Sequence, residues 1–362
     1  MANRFLDSAG QHYTDIGTKW NGSTPNYASI EANTGRGGNT PTIRFAAGNG
    51  FGGPSMLSVD LEGEVPGLVW GTRMAIAQLF PDQGANYNFM HFWTTLGNIQ
   101  VGARVELDGT ITFGRYPANM TTANNQNPVV LGTTSSARTL QLNVLRYLEV
   151  EITFSTSAGT IKVWIDGVQV MNLSGLNTSP NSGTPWCTRA GFTTNNNGSR
   201  VFVRFQDTYM HDLTGSRNNA RSGDVAINAL LPNSTISQQS TTVGAATAHG
   251  AVNQAASDGD TSYNSFGSAG QQDIYDVPAM AGNSATPVIA VGVLAFARKD
   301  DAGVNTGSPV ARSGGTDFAG TAKPLSTSYS YVRTVVEQDP ADASSLTISK
   351  VNNMQFGYLR AS

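Results

Sequence analysis

Residues 146–173, RYLEVEITFSTSAGTIKVWIDGVQVMNL, read as three consecutive strands, near 146–155, 160–166 and 168–173. Apolar and polar side chains alternate along each run, the period of a strand with one face buried. Asp166-Gly167 stands between the second run and the third. Asp-Gly accepts the positive φ values that a type I′ turn requires, so a hairpin tip is expected there. RVELDGTITFGR, residues 104–115, repeats the arrangement around Asp108-Gly109. Further strands are expected near 68–77, 87–95, 99–107, 110–115 and 200–209, in short runs broken by Gly, Asn, Asp and Pro. Such spacing predicts an all-β sandwich or barrel. Before residue 216 no segment combines a helical period with caps.

Composition supports the same class. Charged residues make up 13% of the 362, against about 25% in an average protein. Gly, with 40 residues, and abundant Ser, Thr and Asn take their place, and these favour turns and strands over long helices. Charge-laced bundles and coiled coils are therefore not expected. The 22 basic and 25 acidic residues form no basic stripe of the kind nucleic-acid binding needs, so no nucleic-acid partner is expected. No run approaches the roughly 18 apolar residues of a membrane span, and the opening MANRFLDSAGQHY has no signal-peptide core. A soluble, cytosol-made chain without membrane insertion is expected. The single cysteine, Cys187, excludes an internal disulfide and a Cys-rich zinc site.

LTGSRNNARSG, 213–223, is polar, with no apolar anchor, and reads as a connection. The expected organisation is a sandwich over 1–215, a linker over 216–223 and a second β-rich domain over 224–362. Strands are expected in PVIAVGVLAFAR (287–298) and SYSYVRTVVEQD (328–339), with weaker ones at 224–230 and 354–359. The intervening 233–286 is so polar that, taken alone, it reads as a long loop, ordered if a neighbouring chain supplies partners.

Few constellations carry chemistry. Glu149 and Glu151, two apart on a strand, project to one side. Paired carboxylates serve glycoside hydrolysis at about 5 Å separation or wider, but the jelly-roll glucanases place a third acidic residue farther along such a strand, where Thr153 and Phe154 stand here, and a half-exposed strand with one polar face is the expected reading. His12, His91, His211 and His249 are scattered, without the spacing of a metal site. His211 neighbours Asp212, and a satisfied strand-end histidine explains it. Asp258 and Asp260 in SDGDTSY resemble part of a calcium loop but lack its closing Glu, leaving an Asx turn. Gly35, Gly37 and Gly38 lack dinucleotide-loop spacing and mark a tight turn. No nucleophile elbow is present. Tyr87, Phe89, His91 and Trp93 alternate with Asn88, Met90, Phe92 and Thr94. One aromatic face could stack sugar rings, but a strand apolar on both faces is expected to be buried between layers. No catalytic residue, metal or cofactor is expected, and no ligand-binding residue is singled out.

The run 146–178 resembles the central hairpin of concanavalin A-like (laminin-G-like) lectin domains of tailed-phage structural proteins, through Tyr147, Glu149, Gly159 and Asp166-Gly167. RFQDTYMHDLTG (204–215) is similar to the family's closing strand, with Asp207, Tyr209 and Asp212 in matching places, and TGRGGNTPTIRF (34–45) to its opening. In the second half GDVAINALLPN (223–233), SDGDTSYNSF (257–266), QDIYDV (272–277), ARKDDAG (297–303), VARSGGTDFAG (310–320), LSTSYSYVRTVVEQDPA (325–341) and VNNMQFGYLRAS (351–362) resemble, in this order, segments of phage virion proteins. The polar run 234–256 replaces the aromatic-rich stretch those proteins carry after LLPN.

The resemblance implies a concanavalin A-like jelly-roll sandwich followed by a second β domain. It implies a non-enzymatic structural component of a bacteriophage virion assembled in the host cytoplasm, a tail fibre or spike subunit with a role in host-glycan adhesion. The alternative is a head decoration or head-fibre protein that stabilises the capsid, and a polysaccharide depolymerase is the less favoured third. Implied partners are other virion proteins, host surface glycan and further copies of the chain, a homotrimer being favoured, with the C-terminal domain assembling it.

Overall fold

The computed structural model describes residues 3–11, 13, 16–20, 28–45, 56–79, 90–94, 98–117, 128–179, 184–193 and 201–362. Two compact units divide the chain, one of Met1–Gln11 with Ile16–Ile227, the other of Asn228–Ser362 with His12–Asp15.

In the first unit two antiparallel sheets face each other. The larger runs in the order β12 (Val168–Leu176), β11 (Gly159–Ile165), β10 (Arg146–Thr153), β5 (Gly67–Leu79), β14 (Val201–Asp212), β3 (Thr42–Phe45) and β2 (Ala28–Glu31), with β1 (Asn3–Asp7) also on β14. The smaller runs β4 (Met56–Val65), β13 (Cys187–Thr193), β6 (Met90–Trp93), β7 (Ile99–Val105), β8 (Ile111–Arg115) and β9 (Val129–Thr133). Successive strands β4 and β5, and again β13 and β14, lie in different sheets, the crossing-over of a jelly roll. The chain is all-β, a jelly-roll sandwich followed by a second β-rich unit.

Alternation decides which side chains meet. Val150 in β10 stands opposite Val163 in β11 and Trp70 in β5, and Leu148, Val150, Ile152, Ile161, Val163 and Ile165 are fully buried on that inner face. There Trp70 meets Phe192 of the smaller sheet edge to face, with ring centres 4.8 Å apart, and Phe192 lies 4.3 Å from Phe205. Burying such side chains stabilises by about 1.5–3 kcal/mol each, which makes this layer the dominant favourable contribution of the unit. The other face of the larger sheet receives Tyr147, Glu149 and Glu151.

Both Asp-Gly pairs lie at hairpin tips, in two different turns. Asp166 (φ 48°) and Gly167 (φ 77°) both adopt positive φ, as a type I′ turn demands. Around Gly109 (φ 80°) the Gly109 N–H donates to the Glu106 carbonyl at 3.0 Å and the Glu106 N–H to the Thr110 carbonyl at 2.8 Å. The second tip is therefore a three-residue loop with a glycine bulge, in place of the expected type I′ turn. The Asp108 carboxylate takes the Thr110 hydroxyl and N–H, at 2.7 and 2.9 Å, and these bonds hold its pKa below the ordinary value.

The second unit has a sheet in the order β15 (Ser234–Ser237), β18 (Gln272–Asp276), β24 (Gln355–Arg360), β20 (Thr306–Ser313) and β21 (Thr316–Ala319), with β22 (Lys323–Pro324) also on β20. Two ribbons join it, β16 (Thr241–Val243) with β17 (Tyr263–Ser265), and β19 (Val291–Ala297) with β23 (Ser330–Val336). Val293, Ala311, Val336, Leu346, Val351 and Met354 form its core.

The polar run 233–286 is ordered by side chain to backbone bonds of its own. Buried Asp273 accepts the N–H groups of Gln239 and Ser240, at 2.8 and 3.0 Å, and the Tyr275 hydroxyl at 2.9 Å. Asn264 donates to the Ala248 carbonyl and to Tyr275, both at 2.8 Å. The reading as a long loop fails because polar side chains, with a few buried apolar ones such as Ala248 and Ile274, hold this segment. The strand expected at 224–230 does not form, since the segment spends its hydrogen bonds elsewhere, as described below.

The two tips predict unequal costs of adding a methyl group. At Gly167 a Cβ would meet nothing within 4 Å, whereas at Gly109 it would lie 1.9 Å from the Leu140 carbonyl oxygen. Gly167→Ala is expected to cost about 1–2 kcal/mol from the left-handed backbone alone, and Gly109→Ala clearly more. Urea unfolding of the two variants checks the order.

Candidate functional site

The polar residues of the sandwich concentrate on the outer face of its larger sheet. Glu149 pairs in register with Gly71 of β5, and Gly71 with Tyr209 of β14, so the three lie in one row across neighbouring strands. Tyr209 reaches across to donate its hydroxyl to Glu149 Oε1 at 2.5 Å. Its ring passes so close to the β5 backbone that a Cβ on residue 71 would stand 2.1 Å from ring atom Cε1. Only glycine allows that crossing.

Tyr209 faces outward because of a bulge. Gln206 pairs with Arg73 and Tyr209 with Gly71, so β14 advances three residues while β5 advances two. The extra residue reverses the alternation, and Asp207 sits at this point with φ 49°. Before the bulge Phe205 packs inward on Phe192; after it Met210 pairs with Trp70 on the inner face and Tyr209 turns out.

Residues 213–227, including the expected linker 216–223, form a strap over this face and belong to the first unit. Arg221 Nη1 donates to Glu149 Oε2 at 2.5 Å and Gly223 N–H to Oε1 at 2.7 Å. Ser222 N–H donates to the Tyr209 oxygen at 2.9 Å. The Arg221 guanidinium also lies over the Trp164 ring, 4.5 Å from its centre. Farther along, Ile227 N–H donates to Asp207 Oδ1 at 2.9 Å, while Asp207 Oδ2 accepts from Arg36 at 3.2 Å and Gln206 at 3.0 Å. Arg73 pairs with Asp224. Leu213 and Val225 pack on Val69, Tyr147 and Tyr209. The result is a Glu149 that is 1% exposed and accepts three strong hydrogen bonds.

Burial, reinforced by the Glu149 charge, pushes the Tyr209 hydroxyl far above its usual range. Burial does the same to Tyr147, whose hydroxyl donates to the Asp207 carbonyl at 3.2 Å. Both phenols stay neutral donors. Glu151, on the same face as expected, instead pairs with Lys162 at 2.7 Å. The two carboxylates thus share a face but have separate partners.

The smaller sheet carries a second buried polar group on the side away from Phe92. His91 lies between the Thr193 hydroxyl, 2.7 Å from Nδ1, and the Tyr116 hydroxyl, 3.0 Å from Nε2. Gly102 is the floor beneath them, since a Cβ there would be 2.6 Å from His91 and 2.7 Å from Tyr116. Met90, His91, Phe92 and Trp93 are all buried, so this strand is covered on both faces as expected; Tyr87, Asn88, Phe89 and His12 lie outside the described residues.

The remaining sequence candidates stay apart. His211 places Nδ1 3.2 Å from the Ala220 carbonyl, while Asp212, pointing to the opposite face, pairs with Arg4 at 2.6 Å. His249 contacts the Thr235 hydroxyl at 3.0 Å. Asp258 closes a turn on Ser262 at 2.6 Å, and Asp260 pairs with Arg298 and Tyr329. Among the described residues no group of three His, Cys, Asp or Glu converges as a metal site would require. Gly35 lies against Gln206, and Gly37 and Gly38 take positive φ in a tight turn. Cys187 is buried, and burial pushes its thiol pKa up. Arg221, Gly223 and Tyr209 were the partners sequence reading missed. The arginine stood in a run without apolar anchors, and the bulge concealed the side to which Tyr209 points.

No family model matches the chain, and no curated protein does. Among solved structures it is similar to an alginate lyase, at 12% identity and TM-score 0.39 over 57% of this chain and 95% of that one. A cellulose-induced protein matches at 15% and 0.39, over 58% and 95%. A Trypanosoma rangeli sialidase mutant with trans-sialidase activity matches at 12% and 0.32, over 51% of this chain and 27% of that one. The expectation that the chain is no enzyme is corrected here. The solved structures it is similar to include an alginate lyase and sialidases, against an expectation that rested on the lack of a recognisable constellation in the sequence. At these scores no residue role or activity carries over.

The row predicts coupled substitutions. Gly71→Ala forces the Tyr209 ring away, at a cost of about 1–3 kcal/mol, and Tyr209→Phe leaves Glu149 short of a donor, at about 1–3 kcal/mol. Because both break the same bond, the double variant is expected to cost clearly less than the sum, as read by urea unfolding.

Proposed function

We propose that the chain is a structural subunit of a tailed-phage virion, a tail fibre or spike component, whose sandwich binds host-surface glycan and whose second unit assembles it as a homotrimer. The ordered series of second-half segments that resembles virion proteins, from GDVAINALLPN to VNNMQFGYLRAS, carries this reading. Low charge with much Gly, Ser, Thr and Asn suits a β surface built to persist outside a cell.

The second unit adds a physical reason for assembly. Every residue of β24, Phe356, Tyr358 and Leu359 included, is only half-buried, although β24 is a central strand with β18 and β20 on either side. Ribbon β19–β23 leaves Phe296 and Tyr331 half-buried as well. A second and third copy would cover such surface, and cyclic symmetry closes the assembly.

Labelling the protein in a virion reconstruction tests the location: density on the tail is expected, and density on the head would favour a capsid-stabilising fibre or decoration. Light scattering is expected to give three chain masses for the full chain and one for a chain ending at Ile227. A monomeric full chain would overturn the assembly reading, and a trimeric truncation would move assembly to the sandwich.

A further inference from the structure

The outer face of the larger sheet is costly to cover with chain. Glu149, Asp207, Arg73 and Arg221 are charged, and an apolar lining would bury as well or better, because ion pairs taken out of water recover little more than their desolvation cost. Stability alone does not explain why this face is polar and aromatic. What the strap places there has the form of a ligand. Two donors, the Arg221 guanidinium and the Gly223 N–H, approach the two oxygens of one carboxylate at 2.5 and 2.7 Å. The flat guanidinium covers the exposed side of the Trp164 ring. A pyranose with neighbouring hydroxyls offers the same pattern, a pair of O–H donors beside an apolar C–H face that stacks on an aromatic ring. The strap is held chiefly by polar contacts, of a kind that sugar hydroxyls and water can replace. Leu213 and Val225 are its apolar contacts with the Val69–Tyr147–Tyr209 cluster, and most of its other side chains are exposed or half-exposed, the profile of a segment that opens locally.

We propose that this face is a saccharide-binding site which residues 213–227 occupy in cis, with Arg221 and Gly223 standing where the sugar's hydroxyls bind Glu149. The inference rests on the glycan-binding part of the proposed function and names the face that serves it. A ligand then competes with the strap, and its apparent affinity is lowered by the fraction of chains whose strap is closed.

The test uses the full chain, an array of bacterial surface oligosaccharides (O-antigen, capsule and teichoic-acid fragments) and hydrogen exchange over 213–227. Arg221→Ala and Val225→Ser each loosen the strap from a different side, and both are expected to speed its exchange and raise the strongest array signals tenfold or more over the unaltered chain. Trp164→Ala in either background is expected to return those signals to baseline. Faster exchange without any gain in binding overturns the proposal, as does a strap that stays protected in both variants. Should the unaltered chain bind a glycan with the same strength as every variant, the face named here is wrong while glycan binding itself stands. Absence of signal in all chains, the unaltered one included, removes both.

Discussion

A carboxylate withdrawn from water must find donors inside the protein, and the first unit is organised around one such requirement at Glu149. Its three donors come from two directions, Tyr209 from within the sheet and Arg221 and Gly223 from the strap above it. The bulge at Asp207 turns Tyr209 outward, Gly71 lets its ring cross β5, and the strap then closes on the carboxylate that this row presents. Losing one donor leaves the carboxylate short of a partner, at about 1–3 kcal/mol.

The smaller sheet repeats the device without a carboxylate. There an imidazole and a phenol, His91 and Tyr116, meet over Gly102 as Tyr209 meets Glu149 over Gly71. In both sheets a glycine within a strand marks the place where a large polar side chain lies flat across the backbone. Neither glycine sits at a turn or requires positive φ, so each has its place because of the space above it.

Much of this fold was legible in the sequence because alternation reports burial directly. The strands 146–153, 159–165 and 168–176 and both Asp-Gly tips follow from it. Edge and connecting strands such as β9, with Val129 and Val130 largely exposed, show little alternation to read. The site was less legible for two physical reasons. Alternation along 201–212 would place Tyr209 beside Phe205 on the inner face, and the one-residue bulge that reverses it has no compositional mark besides an Asp. The strap is polar because its partners are polar, so a segment fixed by Glu149 and Asp207 looks the same in sequence as a free connection. Residues 233–286 read as a loop for the same reason, Asp273 being their equivalent of Glu149.

The strap is part of the sandwich, and the stability of two shortened chains measures that directly. A chain ending at Ile227 keeps all of Glu149's donors, while one ending at Gly215 loses Arg221 and Gly223 and leaves the carboxylate with Tyr209. Thermal unfolding is predicted to show a cooperative transition for the first and a markedly lower or lost transition for the second. Equal melting temperatures for the two would contradict the account, because the strap would then be a connection that merely rests on the sheet.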